Sequence, residues 1–527
     1  MGRTNMREER HSVISCSALK VAIVLFLSLT VVPGVFGDET RIRILHVNDF
    51  HGFAEPYKPL GAQEVLGGAA YLAAAVNCLR GEGPTLLVAG GDMIQGHTWA
   101  NLSRGESSIE LMNTMKFDVM VVGNHEFNFG QDALKKRISE ATFPVLAANI
   151  YGMEALKPYA IKEVGGVRVG FLGVVAEDTP VLTHPGNVTG LRFDPVRETV
   201  EKYLPEVRAK SDIVVVLSHI GYPADRMLAE KVRGIDIIIG AHSHTKVVDP
   251  PRIGDTLIVQ AWEHAKALGI VDITLEGGRI KGAKGRVEEI KPVEGLGDKA
   301  VEAIVLKYKQ VVDATLNQVI GTADVDLDAE NIRRTESNLG NLIADIIRDV
   351  SNADAALINS GAIRTSIRKG DIRAKDIYSV VPFDNYIVAI RVKGARIREA
   401  LEHGYSAVEK GVGGFPQVSG ILLKYDLSMT PGSRITEIRV KGRPLDPDEE
   451  YTVATIDFIA SGGDGYKAFG DAITSSHDYV VVGGAMKGEK VVYSDPGTWL
   501  RDTVIRWIQS RKSVSPQVEG RMTPGGK

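Results

Sequence analysis

Between Arg41 and about residue 275 the chain repeats one local theme: a short apolar run rich in β-branched residues, a polar cluster at its C-terminal end, then a stretch with helical spacing. The runs are 41–47 (RIRILHV), 85–91 (TLLVAGG), 119–123 (VMVVG), 144–148 (PVLAA), 167–175 (VRVGFLGVV), 212–218 (DIVVVLS), 236–241 (DIIIGA) and 256–262 (TLIVQAW). Strands this apolar are covered on both faces, which places them inside a layered α/β domain. Residues 297–317 have helical spacing without a strand signal and read as a connecting helix; a second mixed pattern follows, to about residue 512.

Length agrees with two domains, because 527 residues exceed what one ordinary core organises. A hydrophobic fraction of 44% with 24% charged residues describes a folded chain. The formal charge of −4, with Lys and Arg spread along the chain and no dense basic run, gives no sign of a nucleic-acid polymer or acidic-membrane partner. At the N-terminus, Arg3, Arg7, Arg10 and Lys20 precede the apolar stretch 21–32 (VAIVLFLSLTVV), and VFG follows Pro33 before Asp38. Basic, apolar, then small is the order of an export signal, and the stretch is shorter than the ~20 residues that span a bilayer. Residues 1–37 are therefore expected to be a removed signal peptide, giving a periplasmic or secreted protein with no stable membrane anchor. Cys16 would leave with it, so Cys78 would lack an intramolecular disulfide partner and read as core filler. The remaining boundaries are a first domain at 38–296, the helix at 297–317, a second domain at 318–512 and a polar tail at 513–527. The sequence leaves the oligomeric state open.

The strand ends carry the chemistry. The first ends in HVNDFHGF, with Asp49 and His51; the second in GGDMIQG, with Asp92; the third in GNHEFNFG, with Asn124 and His125. Later runs end in LSHIGY, with His219, and GAHSHT, with His242 and His244. One such cluster is ordinary turn chemistry. Five of them, expected at one edge of one sheet, match the mixed oxygen and imidazole donors that two cations ~3.5–4 Å apart require, with an aspartate to bridge them.

The ordered set D-x-H, G-D, G-N-H-E, S-H and G-H-S-H resembles that of the calcineurin-like metallophosphoesterases, and the second half narrows the resemblance to the 5′-nucleotidase and UDP-sugar hydrolase family. The resemblance covers nearly the whole chain beyond the leader. It implies a four-layer α/β/β/α metallophosphoesterase domain, joined by a helix to a C-terminal α+β substrate domain, and a hydrolase of phosphoric monoesters. It also implies two divalent metal ions (Zn, Mn, Fe or Co), one on Asp49, His51, Asp92 and His244, the other on Asp92, Asn124, His219 and His242. His125 would then serve the phosphate or the departing ribose oxygen.

In the second half, LINSGAIR carries Asn359 and Arg364, VVPFDNYI carries Phe383 and Asn385, and DFIASGGDGY carries Phe458 and Asp464. By the resemblance, the two phenylalanines clamp a nucleobase, Asp464 holds the ribose hydroxyls, and Asn359, Asn385 and Arg364 hold phosphate or base. The chain departs from the family twice. Asn338 stands near the NLG turn where many members have an arginine, with Arg333 and Arg334 just before it, and Asn128 replaces an aspartate usually paired with the catalytic histidine. Three readings compete at this stage: an exported hydrolase of 5′-nucleotides, with UDP-sugars and cyclic nucleotides as further candidates; a hydrolase of sulfur esters of the thiosulfohydrolase kind; and a nucleotide-binding protein of low activity.

Overall fold

The computed structural model describes residues 39–58, 62–183, 185–482 and 485–525. The expected leader lies outside the described residues. Two six-stranded sheets build the first domain. In the first, the strand order is Arg279–Glu289, Ala267–Glu276, Glu39–Val47, Thr85–Ala89, Val119–Val121 and Val145–Leu146. The second runs Arg252–Ile253, Thr256–Val259, Ile237–Gly240, Ile213–His219, Val167–Val175 and Tyr159–Val164.

Alternation within each strand decides what each face meets. Ile213, Val215 and Leu217 point at the first sheet's Ile44, Val88 and Val121, forming a core between the sheets. Val214 and Val216, one residue out of step, pack instead with Val200, Leu204 and Leu228 on the covering helices Val196–Lys210 and Tyr222–Lys231. The outer face of the first sheet buries Leu45, Val47 and Leu87 under Ala69–Arg80 and Glu106–Thr114. Four layers, α/β/β/α, result. The donor-bearing strand ends thus come from two stacked sheets, which corrects the expectation of one sheet edge. The apolar runs alone do not say which strands pair.

Helix Lys299–Leu316 starts at Asp298, whose carboxylate accepts from Val301 N at 3.0 Å. Its Val301, Ile304 and Tyr308 belong to the first domain's core and its Leu316 to the second's. The second domain centres on a five-stranded sheet, in the order Pro416–Ser419, Ala355–Asn359, Glu450–Ile456, Tyr386–Lys393 and Val491–Trp499. The segment read as a polar tail is woven into this half. Ser513–Val514 pairs in parallel with Val319–Ala323, Met522–Pro524 with Ile421–Tyr425, and the buried Arg521 guanidinium grips Asp345 at 2.8 Å.

Cys78 lies half-buried on the helix Ala69–Arg80. Among the described residues no helix is long and apolar enough to cross a membrane.

Phe171 lies fully buried between the sheets. Phe171→Ala leaves a cavity there and is expected to lower stability by about 3–5 kcal/mol, read as a fall in denaturant midpoint at unchanged slope.

Candidate active site

The seven donor residues converge where the two sheets' strand ends meet. Asp92 Oδ2 lies 3.1 Å from His219 Nε2 and 3.7 Å from His51 Nε2. His51 Nε2 is 3.3 Å from His244 Nε2, which is 3.4 Å from Asp49 Oδ1. Two groups emerge, Asp49 with His51 and His244, and Asp92 with His219 and His242, linked by a third in which His51 and Asp92 stand with His125, each with donor atoms within 4.8 Å of one another. Asn124 Oδ1 is buried beside them without a hydrogen-bond partner, as an acceptor meant for a cation would be. Donor type, spacing and this orphaned oxygen all fit divalent metal ions.

Backbone strain accompanies the convergence. Asp49, His51, Asp92, His242 and His244 all have positive φ, between 49° and 73°, a region that L-residues other than Asn, Asp and His rarely adopt. The backbone is close as well: a Cβ on Gly123 would stand 2.2 Å from Asp92 Oδ1.

Most donors are aimed from behind. His51 Nδ1 donates to Gln95 O at 2.8 Å and His219 Nδ1 to Gly90 O at 2.8 Å, leaving each Nε2 for the centre. His244 Nδ1 is held by Glu263, itself bound to Lys266 Nζ at 2.5 Å. Asn48 Nδ2 donates to Asp49 Oδ2 at 2.7 Å and His242 N to the same oxygen at 3.0 Å. Burial works against ionisation of Asp92, yet the imidazoles of His219 and His125 hold its carboxyl well below the usual range.

Glu126 is fully buried and accepts four backbone N–H bonds, from Gly123 (2.5 Å), Asp92 (2.8 Å), Met93 (2.7 Å) and Ile94 (3.3 Å). It ties the loop bearing Asp92 to the loop bearing Asn124. Burial raises its carboxyl to about 7. His125 follows Asn124 into the short 3₁₀ turn His125–Phe127, and its N–H donates to Asp92 Oδ1 at 2.9 Å. Asn128 Oδ1 accepts from His125 Nδ1–H at 2.6 Å, while Asn128 Nδ2 donates to Thr183 Oγ1 at 3.2 Å. Nε2 then faces the cavity, 4.0 Å from Asp92 Oδ2. Burial pushes the ring down to about 4, against the pull of Asp92.

A cavity of about 870 Å³ runs from Asp92, Asn124, His125 and His242 to Asn359, Arg364, Phe383, Asn385, Phe458 and Asp464. Arg364 crosses between the domains, its Nη2 3.4 Å from His51 Nε2. The His125 ring stacks on Phe383 at 5.8 Å and 26°. Asp464, again at positive φ (51°), accepts from Asn359 Nδ2 at 2.6 Å through its carboxylate, and its carbonyl oxygen is held by His403 Nε2 at 2.7 Å. Asn385 O receives Leu500 N at 2.7 Å, which fixes the loop after Phe383.

Some residues of the site escaped the sequence. Glu263 and His264 follow the run 256–262 and obey the same strand-end rule as the other donors; with His244 they form a further group within 4.8 Å. Arg333 and Trp499 line the cavity. Arg333 was visible only as half of an unassigned arginine pair, and Trp499 had no signal at all.

Residues 42–246 match the calcineurin-like phosphoesterase family, and residues 319–471 match the 5′-nucleotidase C-terminal domain. This fold and site define a two-domain metallophosphoesterase, a hydrolase of phosphoric monoesters. The human 5′-nucleotidase is 30% identical over 569 residues, covering 96% of this chain and 94% of its own. The crystal structure of a 5′-nucleotidase precursor from Thermus thermophilus aligns with a TM-score of 0.83 at 32% identity, over 93% of this chain and 100% of that one. The chain belongs to the 5′-nucleotidase family. The sulfate thiohydrolase SoxB of Thermus thermophilus aligns at 0.75 but is 21% identical, over 94% of this chain and 98% of that one, a likeness of fold alone.

Glu126→Gln turns one acceptor oxygen into a donor facing backbone N–H groups. Elemental analysis is expected to show reduced divalent-metal content, and initial rates a loss of about 100-fold, because donors displaced by an ångström no longer converge.

Proposed function

We propose that the protein is an exported hydrolase of nucleoside 5′-phosphates that works with two divalent cations. One observation carries this reading: a single cavity joins the carboxylate and imidazole cluster to Phe383, Phe458 and Asp464. A phosphate at one end and a nucleoside at the other would fill it. Asp49, His51, Asp92 and His244 would hold one cation and Asp92, Asn124, His219 and His242 the other, and together they would supply Lewis acidity and an activated water.

The chain's own residues do the rest. Phe383 and Phe458 offer apolar faces to a base, and Asp464, preset by Asn359 and His403, offers a carboxylate to ribose hydroxyls. Arg364 and Arg333 bring charge to the phosphate. His125, oriented by Asn128, presents Nε2 towards the phosphoryl or the departing oxygen. In the same reading, residues 38–296 supply the metal half and residues 318–512 the nucleoside half, the helix of 297–317 joins them, and residues 513–527 complete the second half. Export to the periplasm or beyond the cell rests on the leader pattern. UDP-sugars and cyclic nucleotides remain further candidate substrates.

Phosphate release from AMP tests the proposal: activity lost in chelator should return with added divalent metal. Asp92→Ala should abolish both metal retention and turnover. A wild-type enzyme loaded with two metals yet inert on AMP would overturn the reading.

Asn128 offers a second test. Its amide oxygen orients His125 but supplies no counter-charge to an imidazolium. Asn128→Asp keeps the acceptor, and Thr183 Oγ can donate to it. Turnover on AMP is expected to rise about tenfold, equivalent to ~1.4 kcal/mol at the transition state, with KM little changed. The gain should shrink with p-nitrophenyl phosphate, whose leaving group departs without a proton.

A further inference from the structure

Behind His244 the backbone is bent out of ordinary shape a second time. Trp262, His264 and Ala265 lie in the left-handed region, at φ of 67°, 56° and 54°, and Trp and Ala are types that rarely adopt it. Such conformations cost free energy and persist only where their surroundings enforce them. The enforcement comes from the side of the donor cluster. Asn48, the neighbour of Asp49, accepts from Ala261 N at 2.9 Å and donates to Trp262 O at 2.6 Å, while Asp49 O accepts from His264 N at 2.8 Å.

The residue between the strained positions is Glu263. One of its carboxylate oxygens accepts from His244 Nδ1–H and the other from Lys266 Nζ at 2.5 Å. Lys266 is itself buried, its ammonium 3.8 Å from the centre of the Trp262 ring. His51 and His219 are backed differently, since each gives its Nδ1–H to a neutral backbone carbonyl, of Gln95 and Gly90. Of these three oriented imidazoles, His244 alone has a carboxylate behind it.

Glu263 also stands with His244 and His264 at the spacing of a further cation site, with donor atoms within 4.8 Å of one another. Two bonds argue against that use. Lys266 already places a positive charge on the second carboxylate oxygen, and His264 Nδ1 is taken by Tyr57 Oη at 2.8 Å while its ring stacks on Phe53 at 3.8 Å. Glu263 is left to act through His244.

We infer that Glu263 is a positioning residue of the metal centre. Its carboxylate makes Nδ1 the protonated nitrogen of His244, aims Nε2 to within 3.4 Å of Asp49 Oδ1, and lends the ring negative charge that strengthens its hold on a cation. Lys266 fixes the direction of the carboxylate, and the strained turn fixes both. The inference rests on the two-cation reading above. Its consequence is local: loss of the carboxylate should weaken the ion shared by Asp49, His51 and His244 and spare the one on Asn124, His219 and His242.

Zinc affinity of the full chain, stripped of metal and equilibrated with a competing chelator, tests this without reference to turnover. The wild type is expected to hold two ions. Glu263→Gln keeps an acceptor for His244 and Lys266 but no charge, and should weaken one ion about tenfold; Glu263→Ala removes both and should weaken it about 100-fold, with the other ion unchanged. If the alanine variant does not fold, the glutamine variant carries the test. In a His244→Ala background, Glu263→Gln should have no further effect on zinc affinity, because the residue through which it acts is gone. Wild-type affinity for both ions in either variant, a loss shared equally by both ions, or an undiminished loss in the His244→Ala background overturns the inference and leaves the two-cation reading intact. A wild type that holds fewer than two zinc ions removes that reading itself.

Discussion

The site depends on a backbone that ordinary residues avoid. Five of the donor residues, Asp49, His51, Asp92, His242 and His244, sit in the left-handed region, where each costs of order 1–3 kcal/mol unless its surroundings enforce it. Enforcement is visible at Asp92. Its N–H and those of its two successors are pinned by Glu126, and its Oδ1 is pinned by the N–H of His125. Such turns let each chain segment leave its strand and at once present a side chain back across the sheet end. Two sheets thereby deliver donors to one point.

The substrate end is built on the same logic with different parts. Asp464 also has positive φ, and it too is fixed from both sides, by Asn359 on its carboxylate and His403 on its carbonyl. The halves are held together by groups that already have partners within the fold: Thr98 Oγ1 meets Ser379 Oγ at 2.7 Å, Asn101 Nδ2 reaches Pro382 O at 3.3 Å, and Lys375 Nζ binds Asp313 at 2.7 Å. Apolar packing joins them, with Leu102 against the second domain's core and His125 stacked on Phe383, so motion between the halves has to slide these contacts as well. Arg364 is the side chain whose position would report such motion, since it comes from the second domain and stands against His51 of the first.

Residues that follow an apolar strand were legible in the sequence because the strand end fixes where they go. That holds for Asp49, Asp92, Asn124, His219 and His242, which the structure gathers into one cluster. Glu263 and His264 obeyed the same rule at the eighth run, where the rule went unapplied. Sheet membership was not legible, since a run covered on both faces says nothing of its neighbours. The paired strands Ala267–Glu276 and Arg279–Glu289 were missed in part because the second is largely polar, exposed at the sheet edge. Arg333 and Trp499 reach the cavity through tertiary packing, and no local pattern announces that.

Each domain closes its sheet with a strand made long after its first. Arg43 on the opening strand of the first domain binds Asp272, 229 residues on, and Thr322 in the second binds Lys512 O, 190 residues on. Neither sheet can be completed while its later strand is still unmade, and pairings this distant form slowly because loop closure precedes any gain from contact. A nascent chain with this topology therefore cannot close its first sheet until Ala267–Glu276 is made, nor complete its second half until Ser513–Val514 is made. That is the condition in which a polypeptide can be threaded through a narrow translocation pore.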